Sequence, residues 1–312
     1  MLLLLTTFAH TAELRPASAE AIKNGIERGR ALRKQSALVP GALHRYALIM
    51  KVGGVRCGHA LVSLEDAKGE GGAVYKLVEK FKAAMVADDS GEVIDYEGTY
   101  LLSADLGLFG GSMSAVSETI SKSGKQAHES SARISIKDEK LVWIVTEKIV
   151  DSKTGPAITS RNVPLFGQRP IPRNALLAIA ALALAENKFK PDARDAICVP
   201  SIDLNWEMDQ FDVEPAWIVF DLPGITGKNA AMQLRLRYLS GELTEKGLQV
   251  ETPKPEEWRA LQVWPLDAQG HPLSHPTPDD PRLTVESADP ATLDVNAPLD
   301  LEKIGAASKV TK

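Results

Sequence analysis

The chain has 312 residues, 44% hydrophobic and 25% charged, the balance of an ordinary globular protein long enough for one large domain or two. A net charge of -5 excludes a general nucleic-acid binder, whose affinity rests on clustered Lys and Arg against phosphates. No apolar run reaches the roughly 20 residues that a bilayer-spanning helix needs, which excludes an integral membrane protein of that kind.

The chain opens on MLLLLTTFA, an apolar stretch of signal-peptide length without a basic lead, followed by small-residue cleavage candidates at Ala12 and Ala19. Residues 1–19 are therefore expected to be a signal peptide, with a buried N-terminal strand or helix as the alternative. The mature protein is then periplasmic or secreted. Two cysteines, Cys57 and Cys198, lie far apart in the chain. In an oxidising space they invite a disulfide; the favoured reading is two separate buried thiols acting as small hydrophobes. Residues 20–40 form an N-terminal helix and linker. The basic residues Lys23, Arg28, Arg30, Arg33 and Lys34 suggest contact with an anionic membrane surface. A thin apolar face broken by two glycines favours a solvated helix packed loosely outside the core.

An antiparallel β domain spans 41–270. YALIMKV (46–52), Gly53-Gly54 and VRCGHALVSL (55–64) make a hairpin, the glycines supplying the positive φ of a two-residue turn. Gly58 within the return strand implies a bulge or a close backbone approach. Strand three covers about 74–87. Strand four, about 92–104, alternates Ile94, Tyr96, Tyr100 and Leu102 with Asp95, Glu97, Thr99 and Ser103, the period-2 pattern of a sheet with one wet face. Further strands follow near 112–121, 132–137 and 140–150, turning at Asp138-Glu139. Pro164, Pro170 and Pro172 punctuate a loop. NALLAIAALALAEN (174–187) then reads as a buried helix, an inserted plug on the concave side of the sheet. Strands return at about 197–206, 217–222, 232–239, 248–252 and 258–266. The segment 271–312 holds six prolines and little periodicity, and reads as a Pro-rich flexible tail.

No constellation outweighs its plain structural explanation. His271 and His275 have a metal-ligand spacing, but Pro272 and Pro276 deny them a helix; Asp279 and Asp280 complete only a weak set. Cys57 and His59 share a strand face, yet side chains two apart on one strand point the same way without meeting. Asp95, Glu97 and Glu118 offer carboxylates for glycoside chemistry, on strand faces where solvated acids are routine. Ser112, Ser114 and Ser117 follow Gly110-Gly111 without a nucleophile-elbow pattern. A phosphate-binding Gly loop and a dinucleotide fingerprint are both missing, and no cofactor is expected.

The opening hairpin, Tyr46 through Gly53-Gly54 to Gly58, and the closing LQVWPLDAQGHPL (261–273) resemble the two ends of uncharacterised bacterial envelope β-sheet proteins grouped as domains of unknown function. The resemblance implies a half-open antiparallel barrel, similar in shape to lipoprotein carriers, and brings no catalytic or binding residues with it.

The expected fold is mainly β: one large curved antiparallel sheet, a half-barrel or open barrel, with one buried apolar helix and an N-terminal helix. The leading functional expectation is a non-enzymatic cell-envelope protein that binds a lipid or another apolar molecule in the concavity, with Tyr96, Tyr100 and Leu102 as lining candidates. An assembly protein pairing with an envelope partner through a sheet edge is the second expectation. A hydrolase using Cys57–His59 or the strand-four acids is the third.

Overall fold

A computed structural model of the chain describes residues 17–34, 45–67, 69, 73–86, 90–122, 124–150, 152–177, 179, 196–202, 213–221, 232–254, 262–267, 270–276 and 282–309. Residues 1–16, with most of the expected signal peptide, lie outside the described residues. The first element is helix α1 (Ala19–Lys34), capped at its N-terminus by the Ser18 hydroxyl, which accepts from the Ala21 N–H at 3.2 Å.

Eight strands then run as an antiparallel meander: β1 (Arg45–Val52), β2 (Val55–Asp66), β3 (Tyr75–Val86), β4 (Ser90–Leu102), β5 (Leu108–Ser121), β6 (Gly124–Lys137), β7 (Lys140–Ile149) and β8 (Ala157–Pro164). The β1–β2 turn has Gly53 at φ 54° and Gly54 at φ 81°, as a primed hairpin turn requires. The β6–β7 turn takes the same left-handed conformation without glycine, at Asp138 (φ 49°) and Glu139 (φ 59°). The pairing of β2 with β1 slips between Met50 and Lys51, leaving Cys57 as the extra residue of a bulge. Gly58 is hemmed in beside it, where an added Cβ would lie 2.6 Å from Met50 Cε and 2.8 Å from the Lys82 carbonyl. The sheet therefore shows both the bulge and the close approach expected there.

Alternation decides the faces. Leu48, Ala60, Val62, Leu77, Phe81, Ile94, Tyr96, Tyr100, Met113, Ala132, Ile134, Leu141 and Trp143 form a continuous buried inner face. The opposite face carries cross-strand ion pairs, Lys80–Glu97 and Lys82–Asp95, both at 3.1 Å. The chain curls this sheet into a half-barrel, as expected for the fold class.

The strands that follow do not extend that sheet. They are the two-residue β9 (Ile171–Pro172), then β10 (Ala196–Ile202), β11 (Val213–Asp221) and β12 (Met232–Tyr238), a small hairpin of β13 (Gly241–Thr244) with β14 (Gly247–Val250), and β15 (Gln262–Leu266). All but the hairpin join in a separate five-stranded sheet, order β15-β12-β11-β10-β9. On β12 the leucines of QLRLRYL, Leu234 and Leu236, face the inner side of the large sheet. β10 is buried along its whole length, because α1 covers the other side of the small sheet. The molecule thus has three layers: half-barrel, small sheet, helix.

The contact of α1 differs from the loose packing expected, and the glycines explain why. An added Cβ at Gly25 would sit 2.6 Å from Trp217 Cζ3, and one at Gly29 would strike the Cys198 carbonyl and lie 2.9 Å from Val199 Cγ1. Gly25 and Gly29, four apart and so on one face, let the helix lie directly on the β10 backbone. Two of its basic residues turn inward. Arg28 donates to the Ala196 carbonyl at 3.0 Å, and Arg33 bonds the Asp105 carboxylate at 2.7 Å and the Arg169 carbonyl at 2.8 Å.

Beyond the small sheet the chain departs from the flexible tail expected over 271–312. β16 (His275–Pro276) and β17 (Leu283–Ala288) return to the large sheet, with β17 pairing along β1 from Ala47↔Ala288 to Val52↔Leu283. Helix α2 (Leu301–Lys309) then packs on the outer side of β1–β3, burying Ile304. Prolines stop the periodicity that sequence reading relies on, but an edge strand needs only one row of N–H groups. β8 likewise falls within an expected loop; nearly every residue in it is exposed, so no apolar alternation marks it. Of the expected helix 174–187, a 3-10 turn at Arg173–Ala175 and helical Leu176, Leu177 and Ile179 are seen. The rest lies outside the described residues.

Candidate functional site

The inner face of the half-barrel and the small sheet do not close completely. Between them lies an apolar cavity of about 50 Å³, bounded by Tyr46, Leu48, Phe81 and Tyr96 on one side and Leu234, Leu236 and Trp264 on the other. Leu176 and Leu177 cover it, and Glu79, Arg173 and Asn174 add the polar groups. Glu79 is only 5% exposed although it carries a carboxylate. It occupies the inward register of YKLVEKFKA, where every second residue is apolar. Desolvation, and then repulsion from Glu79, raise the Tyr46 phenol well above its ordinary pKa, so Tyr46 stays a neutral donor. The Arg173 guanidinium lies 5.1 Å from the Tyr238 ring centroid.

The expected lining residues fall on this face with unequal roles. Tyr96 borders the cavity. Tyr100 lies four residues further along the same strand, β4, and its hydroxyl hydrogen-bonds that of Tyr96. The two rings reach toward each other over Gly98, whose missing side chain makes the room. Leu102 is fully buried in the core and does not border the cavity. Glu79 and Arg173 escaped sequence reading. For Glu79 there was a signal, a carboxylate on the apolar face of an alternating strand; for Arg173 there was none.

The chemistry weighed for a hydrolase does not assemble. His59 is 1% exposed, and both its ring nitrogens are occupied. The Val295 carbonyl, 2.8 Å from Nε2, can only accept, so Nε2 carries the proton; Nδ1 accepts from Arg56 at 2.6 Å. Burial lowers the pKa of this imidazole, with Arg56 and Lys82 adding to the effect. Cys57 and Cys198 are free, buried thiols whose pKa values burial raises to about 11 and about 12, so neither is a thiolate nucleophile at neutral pH. Asp95, Glu97 and Glu118 lie around a shallow outer-face depression, where each pairs with a lysine: Lys82, Lys80 and Lys125. His271 pairs with Asp267 at 3.1 Å. Asp279 and Asp280 lie outside the described residues.

No protein-family model matches the chain, and no curated protein matches it. Among solved structures it is similar to a β-barrel-like protein of the domain of unknown function DUF1849 from Brucella abortus. The identity is 10% and the TM-score 0.34, over 78% of this chain and 94% of that one. A likeness at that level assigns this chain neither a ligand nor an activity. Among the described residues, no helix is long and apolar enough to cross a membrane.

Proposed function

We propose that this is a non-enzymatic protein of the bacterial envelope that binds an apolar ligand between its two sheets. The observation that supports the reading is the largely apolar cavity between the half-barrel and the small sheet, with buried Glu79 and half-buried Arg173 on its border. Its volume of about 50 Å³ is well below the ~150 Å³ that admits benzene. A lipid-sized ligand therefore enters by parting the small sheet from the half-barrel and widening a gap already present. Export follows from the apolar stretch before Ala12. Cleavage there keeps the Ser18 cap of α1, whereas cleavage after Ala19 removes it.

The test is native mass spectrometry of protein taken from its own envelope, followed by solvent extraction, on wild type and on Ala60→Leu. Leu at position 60 fills the cavity from its floor. A solvent-extractable mass carried by wild type and lost from a folded Ala60→Leu supports the reading. An empty wild-type chain, or the same mass on both proteins, refutes it.

The edge strand β8 favours a second reading, pairing with a strand of an envelope partner. It ends the large sheet, and Ile158 on it is 67% exposed. A partner that copurifies with wild type and is lost with Ile158→Lys supports this reading; no change refutes it.

A further inference from the structure

A second cavity, which shares no lining residue with the first, opens where α1 crosses from the small sheet to the half-barrel. It is a cleft of about 390 Å³ bordered by Arg30, Arg33 and Lys34 of α1, Asp105 of the β4–β5 loop, and Gln168 and Arg169 after β8. Four cations face one carboxylate there, on a chain whose net charge is -5. Asp105 is already committed to Arg33 at 2.7 Å, and that pairing, with hydrogen bonds from Ser103 and Gly107, holds its pKa below the ordinary carboxylate value. Among the described residues, no carboxylate pairs with Arg30, Lys34 or Arg169. Arg169 instead lies over the Phe109 ring at 4.6 Å, which fixes its guanidinium in place. Basic residues in the last turn of a helix complement its dipole, and this accounts for Arg33 and Lys34. It does not account for Arg30, one turn earlier, or for Arg169, which comes from another part of the chain. The rest of the wall is mostly apolar, with Ile26 of α1, Val199 and Pro200 of β10, and Leu248 of β14.

We propose that this cleft binds a phosphate group, with Arg30, Lys34 and Arg169 as its ligands and the apolar wall receiving what the phosphate is attached to. Guanidinium forks suit phosphate oxygens because they donate two parallel hydrogen bonds. Arg33 serves the site by position, its hydrogen bonds to Asp105 and to the Arg169 carbonyl setting the geometry of the rim.

The phosphate can belong to a lipid headgroup or to a free phosphorylated molecule. Two probes separate these sources: inorganic phosphate by titration calorimetry, and flotation with phosphatidylcholine vesicles that carry phosphatidic acid as the minor lipid. Each is run on the full chain, on the double variant Arg30→Gln/Lys34→Gln, and on the control Lys148→Gln/Lys153→Gln. The control pair is exposed, lies away from the cleft and changes the net charge equally. The expected result is saturable binding of at least one probe, weakened tenfold or more in the cleft variant at an unchanged melting temperature, and unaltered in the control. Phosphate binding without flotation assigns a free phosphorylated molecule; flotation lost in the cleft variant assigns a headgroup. Binding of neither probe, or equal losses in both variants, overturns the proposal.

Discussion

Replacing Gly29 by Ala should destabilise the protein, although the same change in a solvated helix stabilises it. Ala gains about 1 kcal/mol over Gly from helix propensity. Here the added methyl group strikes the Cys198 carbonyl and meets Val199 Cγ1 at 2.9 Å. That carbonyl belongs to the backbone of β10, a strand paired along its whole length with β11, and cannot move aside cheaply. The helix must lift, which costs about 1–3 kcal/mol as overpacking. Lifting also stretches the Arg28 bond to Ala196 and the Arg33 bonds to Asp105 and Arg169, each worth about 1 kcal/mol. The net expectation is a loss of roughly 1–3 kcal/mol once the propensity gain is subtracted. Guanidinium chloride unfolding followed by circular dichroism measures it, with exposed Asn24→Ala as the control that should gain a few tenths of a kcal/mol. If Gly29→Ala raised stability by about 1 kcal/mol, the helix would be solvated and its docking on β10 would be wrong.

Two further outcomes follow from buried groups. The pKa of His59 is lowered in the folded state, so below its ordinary value of 6.5 the unfolded chain takes up a proton that the folded chain refuses. The stability that His59 contributes is whole above pH 6.5 and declines by up to about 1.4 kcal/mol per pH unit between there and the lowered folded value. Urea unfolding at pH 7.5, 6.5 and 5.5 should show that slope, and His59→Gln should flatten it; equal slopes would mean that His59 takes its proton freely in the fold. Gly98→Ala should cost about 1–3 kcal/mol, because the methyl group enters the space shared by the Tyr96 and Tyr100 hydroxyls. An unchanged melting temperature would show that the tyrosines have another place to go.

The half-barrel was legible because its strands alternate and their turns carry chemical signals. Gly53-Gly54 marked the first hairpin, Gly58 the bulge at Cys57, and Tyr96 and Tyr100 the inner face. The second sheet was not legible as a separate body. β10 and β11 read as strands, but nothing in AICVPSI or VEPAWIVFD says which other strand lies beside them; that depends on pairings across long separations. The docking of α1 was misread because glycine is a helix weakener when only the helix is considered, and an asset when another backbone lies directly against it. The basic cleft draws Arg30 and Arg169 from distant parts of the chain, and only the fold brings them together.

The β1–β17 pairing also sets a timetable. Lys51 finds Glu286 235 positions downstream, and at roughly 5–20 residues per second of synthesis the first strand waits about 10–50 s for its outer neighbour. Throughout that interval β1 shows an unsatisfied edge to any other chain. Two cations stand on it, Arg45 and Lys51, and a cation on a waiting edge discourages a stranger's strand. Lys51 is then consumed by its ion pair with Glu286. One side chain thus guards the edge while it is open and latches it once the proper partner arrives.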